Sequence, residues 1–265
     1  MTTPKRSLLT PEFATGGASS QSSHAARAAL AVMFVGYAVL AAAMLGLGLL
    51  LTHALSGSVG RWDEHVNQSL AQHRTPGWND ATKAATSLVN TLPAVALAAT
   101  AAGTLAVRRS FREAAFLVVA LLLEITIFLS VTFVVARPRP DVPRLNATPS
   151  TSSFPSGHTA AATVLFVGIA LIVSCRTDKW FPRSISALVA IMVVVLVGFG
   201  RVYRGMHHPT DVVAGLILGL ACLWVAAATV RTFGAARDAA ANVENPVERA
   251  DRPERPIASE MADAP

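Results

Sequence analysis

Six apolar stretches dominate the sequence, at 29–53, 84–107, 113–135, 157–175, 185–203 and 210–231. Each is close to the ~20 residues a helix needs to cross the hydrocarbon core of a bilayer. In lipid, every backbone amide must find its partner inside the protein, so runs of this length fold as spanning helices. Only 14% of the residues are charged. Soluble domains usually carry about 25%, and the shortfall sets aside a soluble helical bundle. The expected fold is therefore all-α, with six transmembrane helices over 29–231. Residues 1–28, polar and rich in Ser and Thr, and residues 232–265, charged and Pro-bearing, are expected to be disordered cytoplasmic tails. The first run begins near Ala29 and is long enough to span, so it reads as a membrane helix and not a cleavable leader.

A net charge of +6 would point to nucleic acid in a soluble chain. Here the basic residues sit between the apolar runs, where orientation in a membrane explains them. If the N-terminus lies inside, 14 of the 22 Lys and Arg fall on the inner side, including Arg108, Arg109, Arg112, Arg176, Lys179 and Arg183. Both termini are then cytoplasmic in a multi-pass cell-membrane protein, and no nucleic-acid partner is expected. Cys175 and Cys222 lie in or at the edge of spans, which excludes a disulfide framework or a Cys-based metal site.

Three polar clusters interrupt the hydrocarbon: Arg137-Pro138-Arg139-Pro140, Pro155-Ser156-Gly157-His158, and Arg201 with His207 and Asp211. The six-span topology puts all three on the outward side. Ionisable groups at a bilayer are costly to keep and mark function by default. His207 and Asp211, four residues apart at a helix start, share a face and can pair. A carboxylate on one ring nitrogen fixes the tautomer and leaves the other free to attack. His208, three residues from Asp211, competes for that carboxylate. Ser156 and Gly157 open a helix whose free N–H groups suit an anion, and His158 in the first turn can protonate a leaving group. Arg137, Arg139 and Arg201 offer forked donors for phosphate oxygens, whereas Arg144 and Arg204 read as ordinary juxtamembrane residues.

Other features carry less. In the connector 54–82, Trp62, Val66 and Leu70 have helical spacing, which suggests an interfacial amphipathic helix that covers the site or simply links two spans. Glu124 lies eight residues before Thr132, on nearly the same face of the third span. Gly215 and Gly219 form a small-residue stripe suited to close helix packing.

Together the clusters resemble the signature of the type 2 phosphatidic acid phosphatase family, which shares its site with the vanadium haloperoxidases. Arg139-Pro140 fits the end of the first element, Pro155 to His158 the second without change, and Arg201, His207 and Asp211 the third in spacing, over roughly 130–215. Two positions depart from the pattern: Thr132 stands where the family has Lys, and Gly200 where it has Ser, a position expected to help close a turn. Arg137 is the candidate replacement for the missing Lys charge. The resemblance implies a membrane lipid phosphatase without cofactor or metal. In it His207, preferred over His208, is the nucleophile that forms a phosphohistidine, Asp211 orients it, and His158 is the acid. Arg139, Arg201, Ser156 and Gly157 hold the phosphate, with Arg137 and Thr132 beside them. Family members act on phosphatidate, phosphatidylglycerol phosphate and polyprenyl diphosphates. The outward-facing site puts a polyprenyl diphosphate such as undecaprenyl diphosphate first and phosphatidate next. The alternative, raised by Thr132, is a relative that binds lipid phosphates without turnover. Oligomeric state is not legible in the sequence.

Overall fold

A computed structural model describes residues 15–147 and 150–244. All regular structure among them is helical. The elements are α1 (Thr15–Leu49, ending in a π-helical turn to Ala54), α2 (Val59–Gln72), α3 (Pro76–Ser87), α4 (Thr91–Val107) and α5 (Phe111–Val135). Then follow α6 (Gly157–Ala162), which runs through a π-helical turn into α7 (Gly168–Arg176), then α8 (Trp180–Tyr203) and α9 (Pro209–Glu244). Five stretches are long and apolar enough to cross a membrane by themselves: 23–54, 111–135, 157–176, 180–203 and 209–236.

The sixth expected span is α3 plus α4, bent by 46° at residues 88–90. The sequence gives the reason. Asn90 caps α4 from an extended backbone, and Pro93 follows in its first turn, where proline is tolerated but cannot continue a helix from upstream. Counting this pair as one span gives six.

The chain divides into two compact units, 31–230 and a second made of residues up to 30 and from 231. The second consists, where described, of the outer ends of α1 and α9. Helix thus extends to Thr15 and Glu244, past the expected boundaries at 29 and 231; the Ala-rich run 235–241 favours it. The disorder expected for 1–14 and 245–265 lies outside the described residues.

Within 31–230 the core is built on α5. Leu117, Ala120, Leu123, Ile127, Val131 and Val135, spaced by three or four, are buried. All but Leu117 pack with Val164 from the π-turn and Leu218, Cys222 and Val225 of α9. The opposite face of α5 (Leu122, Ile125, Leu129, Phe133) is apolar and exposed, as a lipid-facing helix requires. The glycine stripe of α9 packs inside the monomer: a Cβ on Gly215 would strike the Ser156 carbonyl, and one on Gly219 would come within 2.6 Å of the Thr163 Cβ. Gly200 lies inside α8 and not in a turn. A Cβ there would meet Thr86 at 2.8 Å, so its smallness lets α3 approach α8.

Candidate active site

Four helix ends meet where the polar clusters lie: the C-termini of α5 and α8 and the N-termini of α6 and α9. Ala136 ends α5 in the left-handed region at φ 47° and turns the chain into Arg137-Pro138-Arg139. After α8, Gly205 reverses the chain at φ +70°. A Cβ there would sit 2.7 Å from Val142, so glycine is required both by conformation and by space. This turn delivers His207 and His208 to the start of α9.

A cavity of about 480 Å³ opens at this junction, and its polar end is lined by Arg139, Thr151, Gly157, His158, Arg201 and His207. Its other end is a groove between α4 and α5 walled by Val95, Ala98, Leu121 and Ile125, with Glu124 at its side. Arg201 is 5% exposed, and its guanidinium makes no hydrogen bond within the described residues. A buried cation without a protein partner is costly, so this one points to an anionic ligand. Arg139 lines the same cavity but is half spent: Nη1 donates to the Met206 carbonyl (2.6 Å) and Nη2 to the Thr151 carbonyl (3.2 Å), while its buried Nε has no partner.

His207 faces the cavity. Its Nδ1 bonds the Ser153 carbonyl at 2.6 Å. The carbonyl can only accept, so the proton is on Nδ1 and Nε2 is the free nitrogen. The expected pairing with Asp211 is corrected here: the Asp211 carboxylate stands 3.9 Å from Nδ1. Asp211 accepts instead from Arg137 Nη1 (2.5 Å) and the His208 amide (2.8 Å). Burial, and then the charges of Arg201 and Arg139, hold the His207 imidazole well below its ordinary pKa. It is therefore neutral, the form a nucleophile needs. His208 does not reach the cavity. Its Nε2 bonds the Pro138 carbonyl at 3.3 Å, and burial with the Arg137 charge pushes its pKa down to about 4.

Three further expectations change in the folded chain. Arg137 faces away from the cavity: Nη2 donates to Asp63 (2.8 Å) and Nη1 to Asp211 and Thr210, so both arms of its fork are occupied by protein. Ser156 is fully buried with its hydroxyl against Thr159 (2.9 Å), and only its neighbour Gly157 lines the cavity. Phe128 packs on Gly157, where a Cβ would meet the ring at 3.0 Å. Arg204 is no surface residue. It is 4% exposed and donates to Asn146, the Leu145 and Asn79 carbonyls and Thr82, which ties the 145–146 segment to α3.

Thr132 lies behind Arg139 in a separate cavity of about 470 Å³ lined also by Arg144, Ser150 and Ser152, and its buried hydroxyl has no partner. Two residues were not singled out from sequence. Asn90, at the α3–α4 bend, accepts from His158 Nε2 at 3.1 Å through Oδ1. Asp63, on α2, is fully buried against Arg137. Among the described residues, no group of three or more His, Cys, Asp or Glu is arranged to hold a metal ion.

The profile of the PAP2 superfamily matches residues 113–235. Phosphatidylglycerophosphatase B of Bacillus subtilis is 37% identical over 91 residues, 32% of this chain and 42% of that protein. Undecaprenyl-diphosphatase of Sulfolobus acidocaldarius is 37% identical over 75 residues, 28% of this chain and 32% of that protein. The chain thus spans less than half the length of these curated relatives. The crystal structure of a transmembrane PAP2 type phosphatidylglycerolphosphate phosphatase from Bacillus subtilis superposes with a TM-score of 0.57 at 27% identity, covering 73% of this chain and 92% of that one. The apolar helices and this likeness make the chain a multi-pass membrane protein.

Proposed function

Residues 113–235 of this chain are a PAP2 superfamily domain, and from that membership we propose that the protein is a membrane phosphatase that hydrolyses a phosphate ester or diphosphate of a lipid. One observation carries the reading. The buried, unpartnered Arg201 guanidinium faces the same cavity as His207 and His158, and that cavity continues into an apolar groove. The polar end suits a phosphate and the groove a hydrocarbon chain.

In this reading His207 Nε2 attacks phosphorus and the bond from phosphorus to the lipid oxygen (or the bridging oxygen of a diphosphate) breaks. His158, whose Nε2–H is held by Asn90, acts as the imidazolium and gives its Nδ1 proton to the leaving oxygen, which leaves it in the neutral Nε2–H form. Arg201, the Gly157 backbone and Arg139 spread the charge on the phosphoryl oxygens. Water then attacks the phosphohistidine, its proton returns to His158, and inorganic phosphate leaves. Asp211 acts from 3.9 Å as a fixed negative charge near the imidazolium and not as its hydrogen-bond partner. The excess of basic residues in the loops opposite the clusters supports an outward-facing site and cytoplasmic termini, an orientation suited to recycling a polyprenyl carrier.

Phosphate release by the detergent-solubilised full chain in EDTA, offered a polyprenyl diphosphate, phosphatidate and phosphatidylglycerol phosphate in parallel, tests the reading. Release from at least one, lost in His207→Ala by ~10⁴-fold or more, is expected, and the fastest substrate names the lipid class. Near-normal turnover by His207→Ala would overturn the nucleophile. No release by the unaltered chain, with tight lipid-phosphate binding, would replace the enzyme by the non-catalytic binding protein.

A further inference from the structure

The fully buried side chains of α2 are both polar. Asp63 and Asn67, one turn apart, are at 0% and 1% exposure, whereas Trp62 is 55% exposed and Val66 and Leu70 are half-buried. A buried carboxylate must then be paired and hydrogen-bonded. Asp63 accepts from Arg137 Nη2 (2.8 Å), the Thr210 amide (3.1 Å) and the Thr210 hydroxyl (2.5 Å). The same Arg137 donates through Nη1 to Asp211 (2.5 Å), and the Thr210 hydroxyl accepts from that Nη1 at 2.8 Å. One guanidinium fork is thus shared between two carboxylates, with all three side chains at most 4% exposed.

The arrangement fixes Asp211 completely. One oxygen is set by Arg137 and the other by the His208 amide. Its distance and orientation to His207 therefore depend on where Arg137 lies, which Asp63 sets from the other side.

We propose that Asp63 is a positioning residue of the active site, holding Asp211 through Arg137 and so setting His207, and that α2 is part of the catalytic unit and not a connector. The proposal rests on the phosphatase reading above. Removing an outer partner of a catalytic group commonly lowers activity about 10–100-fold. Neither Arg201 nor Gly157 touches Asp63, so substrate binding stays.

The test is steady-state hydrolysis of dioctanoyl phosphatidate in detergent micelles by the full chain and three variants. Asp63→Asn is expected to lower kcat about 10–100-fold with KM within about threefold of the unaltered chain. Asp63→Asn/Asp211→Asn, followed at high enzyme concentration, is expected to match Asp211→Asn alone, because Asp63 acts only through Asp211. A generally weakened fold would multiply the two losses. Thr210→Val removes the bridging hydroxyl and no charge, and it decides the matter if Asp63→Asn does not fold. Its kcat should fall several-fold at unchanged KM, and an unchanged kcat overturns the proposal. So does a kcat for Asp63→Asn within threefold of the unaltered chain, a loss confined to KM, or multiplied losses in the double variant. An unaltered chain inactive on this and the other lipid phosphates removes the phosphatase reading and this inference with it. An active one with an indifferent Asp63→Asn removes the inference alone.

Discussion

The turn carrying His207 and His208 separates two charged regions that differ in how their charges are satisfied. Behind it, both arms of the Arg137 fork, the Thr210 hydroxyl and the carboxylates of Asp63 and Asp211 are bonded to one another, and Asp211 also accepts from the His208 amide. In front of it, Arg201 has no protein partner within the described residues, and Arg139 keeps a free Nε. Both regions are buried and both contain arginine, so burial and residue type do not distinguish them. Pairing does. Charges that satisfy each other hold shape, and charges left unsatisfied facing a cavity await something from outside the chain. That separates the roles of Arg137 and Arg201, which motif membership alone leaves equivalent.

The contrast breaks most visibly by exchanging losses. Arg201→Ala is expected to cut phosphatase kcat/KM by ~10²–10³ while the thermal midpoint hardly moves, since no protein bond is lost. Arg137→Met leaves two carboxylates buried without a cation and should destabilise the fold by ~3–5 kcal/mol. Parallel activity assays and thermal melts check both. An Arg201→Ala variant that is active but unstable would dissolve the distinction. A smaller effect follows from the histidines. His208 is neutral in the fold, with its pKa down to about 4, yet takes a proton near pH 6.5 once unfolded. Between those values the unfolded chain binds the extra proton, so His208 contributes stability above about pH 6.5 that is lost as the pH falls toward 4. His208→Asn should therefore lose less of its melting temperature than the unaltered chain between pH 7 and 4.5. An identical loss would show His208 is not held neutral.

How much of this was legible beforehand follows the range of the signals. The spans were, because length and hydropathy are local. So was the gathering of His207, Arg139, Arg201 and the Gly157-His158 pair around one cavity, because their spacing within short segments fixes which helix ends they occupy. Asp63 was not: its partners Arg137 and Thr210 lie 74 and 147 positions away, and a polar residue on an amphipathic helix reads as solvated. The four-residue spacing of Asp63 and Asn67, which puts them on one face, was the available signal. Asn90 was hidden by the bend that brings it to His158. Ser156 and Arg204 misled in opposite directions, since neither a motif nor a position near a span end says which way a side chain turns. Gly200 read as a turn residue because the close approach of Thr86 is a tertiary fact.

The mildest expected effect concerns Thr132, the one position where pairing and charge disagree. Its hydroxyl is buried without a partner in the cavity behind Arg139, so the site is complete in shape but holds less positive charge than the family pattern. At about 470 Å³ the cavity has room for a longer side chain. A lysine there would lie among Arg137, Arg139 and Arg144, where like charges oppose it, while a bound phosphate would favour it. The ammonium is therefore repelled in the empty site and attracted in the occupied one, and its net effect is small in the first state and favourable in the second. Thr132→Lys is expected to raise kcat/KM about three- to tenfold, mainly through KM, with a slight loss of melting temperature that added inorganic phosphate reverses. Unchanged kinetics would mean that the cavity behind Arg139 does not communicate with the phosphate, and that the charge of Arg201 and Arg139 alone suffices in front of the turn.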